Sequence, residues 1–341
     1  MKKNEVIGHE QIIGHMTMAV KTGKISHAYI LHGEKGMGKM FLAKHYAKLL
    51  QCESPVEEEK EGICYLRGCG VCKSCLQAES GNHPDILYVT HEKASIGVDD
   101  IRTQLNADMG IKPYSSQYKI YIIADADRTT EQAQNALLKT IEEPPSYGIV
   151  LLLAGNVNRL LSTIRSRCVA LPVKTVETNK IRQYLMEELR VPDYLAQMAA
   201  EFSGGNIGRA ERYALSEDFI QMKEDVLYFL RHMDEMALYE MVETVKKMAQ
   251  YKTQIKDCID LMELWFRDML VIKATNDPNR LLYREEYQVI SAQAGKRSYG
   301  LVEHALESMD RAKERLDANV NLDTALEMML DDLSQSEKNT R

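Results

Sequence analysis

The placement of chain breakers constrains this sequence most. Seventeen of 19 glycines and seven of eight prolines fall in residues 1–208, and the remainder of the chain holds only Gly295, Gly300 and Pro278. A stretch so poor in breakers, with Leu261, Leu264, Trp265, Met269 and Ile272 at helical spacing, predicts a helical domain. The front part alternates instead. Ala28–Leu31, Ile86–Val89, Lys119–Ala124 and Ile149–Ala154 read as short apolar strands, and Phe41–Leu50, Val98–Met109 and Glu131–Glu142 as helices. Nearly continuous apolar strands alternating with helices predict an α/β domain whose parallel sheet is covered on both faces. Between the two regions, Thr178–Ala210 shows two short helical patterns and a Ser203-Gly204-Gly205-Asn206 break, which predicts a small helical subdomain. The run Glu57-Glu58-Glu59-Lys60-Glu61 reads as a solvated loop.

Charge excludes some functions. The formal net charge is −7, so attraction of the whole molecule to nucleic acid is not expected, although local basic faces are. Residues 1–50 sum to +5 and residues 301–341 to −5, which polarises the chain. Met1-Lys2-Lys3-Asn4-Glu5 leads into mixed polar sequence without an apolar leader core, and the longest apolar run, Ile149–Ala154, is far too short to span a bilayer. The expectation is a cytoplasmic protein with no membrane partner.

Gly33-Glu34-Lys35-Gly36-Met37-Gly38-Lys39 fits G-x-x-x-x-G-K, in which backbone N–H groups and a lysine surround phosphates at a helix N-terminus. A predicted strand precedes it and a predicted helix follows, as the motif requires. Gly33, Gly36, Gly38 and Lys39 are therefore candidate nucleotide-binding residues. The next position normally carries Ser or Thr for Mg²⁺; here it is Met40, whose thioether is a poor ligand for a hard cation. The partner carboxylate of such a site is expected at the end of a neighbouring strand, within Ile122-Ile123-Ala124-Asp125-Ala126-Asp127.

Five of the seven cysteines lie between Cys52 and Cys75. Cys69, Cys72 and Cys75 form two consecutive C-x-x-C spacings, and one upstream thiolate, Cys52 or Cys64, completes a closed tetrahedral Zn²⁺ site. Four thiolates leave no position for water, so the zinc is structural. His83 is a competing ligand or a turn histidine capping the next strand.

The sequence Asn135-Ala136-Leu137-Leu138-Lys139-Thr140-Ile141-Glu142-Glu143-Pro144-Pro145, followed by Ser166-Arg167-Cys168, resembles the signature of AAA+ clamp-loader subunits of bacterial replicative DNA polymerase. Val6-Ile7-Gly8-His9, Ser26-His27-Ala28-Tyr29, the phosphate loop and the cysteine cluster occur in that family's order, and Asn319-Val320-Asn321 with Leu326-Glu327 extends the resemblance to nearly the full length. The resemblance implies a RecA-like AAA+ phosphate-loop domain over 1–172 with a zinc module at about 52–75, a small helical lid over 173–211, and an all-α collar over 212–341. It favours Cys52 over Cys64 as the fourth zinc ligand. By comparison with the family's active ATPases, Ala124 stands where the Mg²⁺-binding aspartate belongs, Asp125 where the catalytic glutamate belongs, and Gly208 where a sensor arginine belongs, unless Arg209 substitutes through a register shift of one. These departures imply a non-hydrolysing branch, with ATP or ADP binding weak or absent; the alternative is an ATP-hydrolysing gamma/tau motor type. Arg167 matches the family's arginine finger, which enters a neighbouring subunit's ATP site and stabilises charge on the transferred phosphoryl group; Arg165 is the alternative. The implied partners are gamma/tau and delta subunits, the sliding clamp through the complex, and the phosphate backbone of primed DNA, with contacts near Arg102. Glu142 and Glu143 oppose the helix macrodipole and must have another role, in pairing with basic neighbours or between subunits beside Lys139.

Overall fold

The computed structural model describes residues 6–60, 63–91, 95–251 and 254–338. Met1–Glu5 and Glu61 lie outside them. The chain divides into two compact units, Met1–Glu211 and Arg212–Arg341.

The first unit opens with α1 (Glu10–Thr22), β1 (Ala28–His32), α2 (Lys39–Gln51), the strands β2 (Val56–Lys60) and β3 (Ile63–Arg67), α3 (Lys73–Ser80) and β4 (Ile86–Val89). A continuous helical stretch follows over 98–109, in which α4 (Val98–Ile101) and α5 (Ala107–Met109) flank a π-helical turn, Arg102–Asn106. Then come β5 (Lys119–Ile123), α6 (Glu131–Glu142), β6 (Gly148–Ala154), α7 (Ser162–Arg165), β7 (Val169–Pro172), α8 (Thr178–Glu187), α9 (Asp193–Phe202) and α10 (Ile207–Leu215). The main sheet has the order β4-β5-β6-β1-β7, parallel throughout. Ala28 pairs with Val150, and His27 fixes the register through a ring nitrogen 3.0 Å from the Gly148 carbonyl.

Alternation along the strands builds two cores. Tyr29, Leu31, Ile120, Ile122, Leu151 and Leu153 face α1 and α2. Ile30, Tyr121, Ile123, Val150 and Leu152 face the opposite layer, from which Ile101, Leu105, Leu137 and Ile141 project. Every residue of β6 is buried, which explains why its sequence is a continuous apolar run rather than an alternating one. β1 lies between β6 and the edge strand β7, and because the sheet is parallel the loop after it stands at the carboxyl end, where parallel α/β folds bind ligands.

Two expectations are corrected. The acidic run is a strand, not a loop: β2 pairs antiparallel with β3, Glu58 is bridged by Arg67 at 2.7 Å, and Lys21 neutralises Glu57 at 2.5 Å. Buried Tyr65 and Leu66 anchor the ribbon, and Leu66 N–H donates to Thr17 Oγ1 at 3.0 Å. Beyond the Ser203–Asn206 break a third helix, α10, follows the two anticipated ones.

The second unit contains α11 (Glu217–His232), α12 (Leu238–Met248), α13 (Ile255–Thr275), α14 (Tyr287–Lys296), α15 (Tyr299–Asp317) and α16 (Leu322–Lys338). The long α13 buries Leu261, Trp265, Met269 and Ile272, while Leu264 at the border of the stripe is half-buried. Trp265 Nε1–H donates to Gln293 at 2.9 Å, and the Gln293 amide donates in turn to the Leu230 carbonyl at 2.8 Å, so the buried polar atoms tie three helices together. Among the described residues no helix is long and apolar enough to cross a membrane.

Candidate functional site

The phosphate loop leaves β1 at Gly33 and enters α2 at Lys39. Gly36 and Gly38 have φ of 91° and 86°, a left-handed backbone that favours glycine. The loop's polar groups are turned onto its own chain. The Lys39 ammonium donates to the carbonyls of Gly33 and Glu34, the latter at 2.7 Å. Burial lowers the Lys39 pKa, opposed by Asp127, Asp125 and Glu34. The helical segment after the 203–206 break closes over the tip: Asn206 Nδ2 donates to Lys35 O at 2.9 Å, and Gly208 N–H donates to Gly36 O at 2.9 Å. A Cβ at position 208 would stand 2.9 Å from the Gly36 backbone, so no side chain fits there without movement. The Arg209 N–H is held by Asn206 Oδ1 at 3.1 Å. His9, itself left-handed at φ 60°, places Nε2 3.1 Å from the Met37 carbonyl, and burial holds its pKa below the ordinary value.

Met40 is half-buried and packs against the core on the α1–α2 side. β5 ends at Ile123, so Ala124 and the left-handed Asp125 (φ 47°) lie just past the strand. Asp127 accepts from the N–H groups of Gly155 and Asn156 at 3.0 and 3.1 Å, which ties the end of β5 to the end of β6. Sequence reasoning missed His9 and Asn206 as shapers of this loop; the local signal was that each sits beside a glycine, Gly8 and Gly205.

Arg167 follows α7 on the surface. Its Nε is 3.0 Å from Glu142 Oε1, and Nη1 donates to Thr163 O at 3.1 Å and lies 3.4 Å from Ser166 Oγ. Arg165 turns back to Asn158 Oδ1 at 3.1 Å, so the two arginines have separate partners.

At the other end of α2, Cys52 is the C-cap, Cys72 is the N-cap of α3, and Cys75 lies buried in the first turn of α3. The Sγ atoms of Cys52, Cys69, Cys72 and Cys75 all lie within 4.8 Å of one another. Cys69 and Cys75 sulfurs are 3.9 Å apart, against about 3.8 Å for thiolates each about 2.3 Å from a tetrahedral zinc. Backbone N–H groups of Cys69, Cys72 and Cys75 point at the sulfurs of Cys52, Cys69 and Cys72, at 3.2 to 3.4 Å. Backbone donors from Val71 and Cys72 bring the Cys69 thiol down to about 6, whereas burial raises Cys75 and Cys52. The donor set fits a dication that four sulfurs close off from water. Exposed Cys64 lies outside this group, 3.5 Å from Lys21 Nζ. His83 is also outside it: Nδ1 accepts from Asp85 N–H at 3.1 Å, and Nε2 sits 2.8 Å from Ser74 Oγ.

A phosphate loop after β1, between β6 and β7 of this parallel sheet, with a helical segment folded onto the loop, defines an AAA+ domain. The same fold occurs in the gamma subunit-related protein of Thermotoga maritima, with TM-score 0.51 and 18% identity over 96% of this chain and 99% of that one. Residues 8–177 match the family described as DNA polymerase III, delta subunit. The delta' subunit of DNA polymerase III from Bacillus subtilis is 30% identical over 315 residues, 92% of each chain. The tau subunit of the same organism is 27% identical over 320 residues, covering 85% of this chain and 55% of tau. The chain belongs to the delta' family of DNA polymerase III clamp-loader subunits.

Proposed function

We propose that this chain is the non-hydrolysing, stator-like subunit of a cytoplasmic clamp-loader complex, which loads the sliding clamp onto primed DNA, and that Arg167 serves as an arginine finger in the ATP site of an adjacent gamma/tau subunit. The observation that carries this reading is the backbone of Gly208 resting on Gly36. Where a motor subunit needs a cationic side chain over the phosphates, this chain has a backbone contact. Three further features agree. Lys39 donates twice to its own loop, Met40 packs against the core, and Ala124 offers no metal ligand. Arg167, by contrast, is at the surface, where a neighbour's nucleotide can reach it.

In this reading Cys52, Cys69, Cys72 and Cys75 hold a structural Zn²⁺, residues 173–211 act as a lid, and 212–341 form the oligomeric collar with gamma/tau and delta subunits. DNA is met through its phosphate backbone. The test mixes the chain with its cognate motor and delta subunits and follows DNA-stimulated ATP turnover. Wild-type chain is expected to stimulate it, and Arg167→Ala to reduce stimulation by about 10³-fold or more, the usual scale for an arginine finger. Intact G-x-x-x-x-G-K and the similarity to tau favour a second reading, a motor with unusual Mg²⁺ ligands. Mg²⁺-dependent ATP turnover by the isolated chain would select it over the stator.

A further inference from the structure

The contact between Arg167 and Glu142 has its own consequence. Glu142 ends α6, where its charge opposes the helix dipole, and the helix gains nothing from it. The carboxylate is instead 3.0 Å from Arg167 Nε, with both side chains nearly half exposed. Thr163 O and Ser166 Oγ receive the other face of the guanidinium. The arginine thus has three acceptors on its own chain, reached through Nε and Nη1. An ion pair this exposed is weak and readily exchanged for a stronger anion, because water screens it on both sides. A triphosphate brings several negative oxygens, accepts bidentate bonds from guanidinium, and outcompetes a single carboxylate.

We propose that Glu142 is a parking ligand for Arg167: it holds the guanidinium beside α7 until a neighbour's nucleotide displaces it, and so sets the ATP level at which the finger engages. This rests on the finger reading above, and Glu142 acts as a positioning residue that never touches nucleotide. Glu142 competes with the phosphate for the same donor, so weakening it favours engagement. A group that merely aligned the arginine would have the opposite effect.

The test uses complete clamp-loader complexes, assembled from motor and delta subunits with this chain, and measures ATP turnover against Mg·ATP concentration. Glu142→Gln is expected to lower the half-saturating ATP by about two- to fivefold, the range a surface ion pair can supply, with the change in KM rather than in kcat. In an Arg167→Ala background the same substitution should have no effect, because its target is gone. Suppose Arg167→Ala removes stimulation but Glu142→Gln leaves half-saturating ATP unchanged, raises it, or lowers kcat alone. The parking role is then overturned and the finger stands. If Arg167→Ala matches wild type, the finger reading itself falls and parking falls with it.

Discussion

The two ends of α2 carry two candidate sites built on opposite principles. At its start, Lys39 donates to the carbonyls of Gly33 and Glu34, and the Gly36 carbonyl accepts from the Gly208 N–H. At its end, Cys52 joins three more sulfurs whose donors converge on a common centre. One helix therefore joins a loop that satisfies itself to a cluster that calls for an ion. The difference lies in where each motif's polar atoms point. Lys39 places two of its three N–H donors on its own loop, whereas four cysteines scattered over 24 residues form one candidate ligand set because their sulfurs meet.

The largest effect should come from breaking the cluster. Cys72→Ser, or a strong chelator, is expected to release about one zinc per chain and to unfold the segment around 52–80, since structural zinc sites contribute on the order of 10 kcal/mol. Metal analysis and hydrogen exchange check this: protection should vanish around the cysteines and persist in β6, and a chain without metal refutes the site. Next in size is the scaffold shared by both ends. Leu151→Ala removes a fully buried side chain from β6 and should cost about 2–5 kcal/mol in urea unfolding. A change below that would mean the sheet repacks around the gap.

The phosphate-loop end should respond less. Gly208→Ala drives a methyl group to 2.9 Å from the Gly36 backbone, for about 1–3 kcal/mol, and exchange of the Gly208 amide should accelerate. Unaltered exchange would mean that the close contact does not hold the segment at Gly208 against the phosphate loop. The smallest effect concerns His9. Burial disfavours its protonated form in the folded state, while the unfolded chain protonates at its ordinary value of 6.5. Below that value the unfolded state binds the extra proton, so stability falls as pH drops from 6.5 toward the lower folded value and is fully present above 6.5. His9→Gln should flatten that slope in denaturation curves taken between about pH 5 and 7. A slope identical to wild type would remove His9 from the loop's support.

Much of the fold was legible because it is locally encoded. Val98–Met109, Glu131–Glu142 and Ile86–Val89 fall where their apolar spacing put them, since a helix or strand needs only its own residues to set which face is apolar. The acidic ribbon at Val56–Lys60 was illegible for the converse reason: its glutamates are strand-forming only because Ile63–Arg67 pairs with them and Lys21 and Arg67 neutralise them. The candidate site divided the same way. The glycine loop and the thiol spacing are visible as motifs, but the Asn206 contact with Lys35 joins residues 171 positions apart, and no local pattern marks it.

The sequence by itself determined the alternation of strands and helices, the phosphate loop's place between β1 and α2, and the chemistry each motif can supply, because propensity, periodicity and spacing act within a few residues. Only the tertiary structure decided that Cys52 rather than Cys64 stands among the clustered sulfurs, that Gly208 lies on Gly36, and that Glu142 meets Arg167. Those outcomes depend on which faces of distant elements come together. Packing of the whole sheet sets that geometry, and no single segment encodes it.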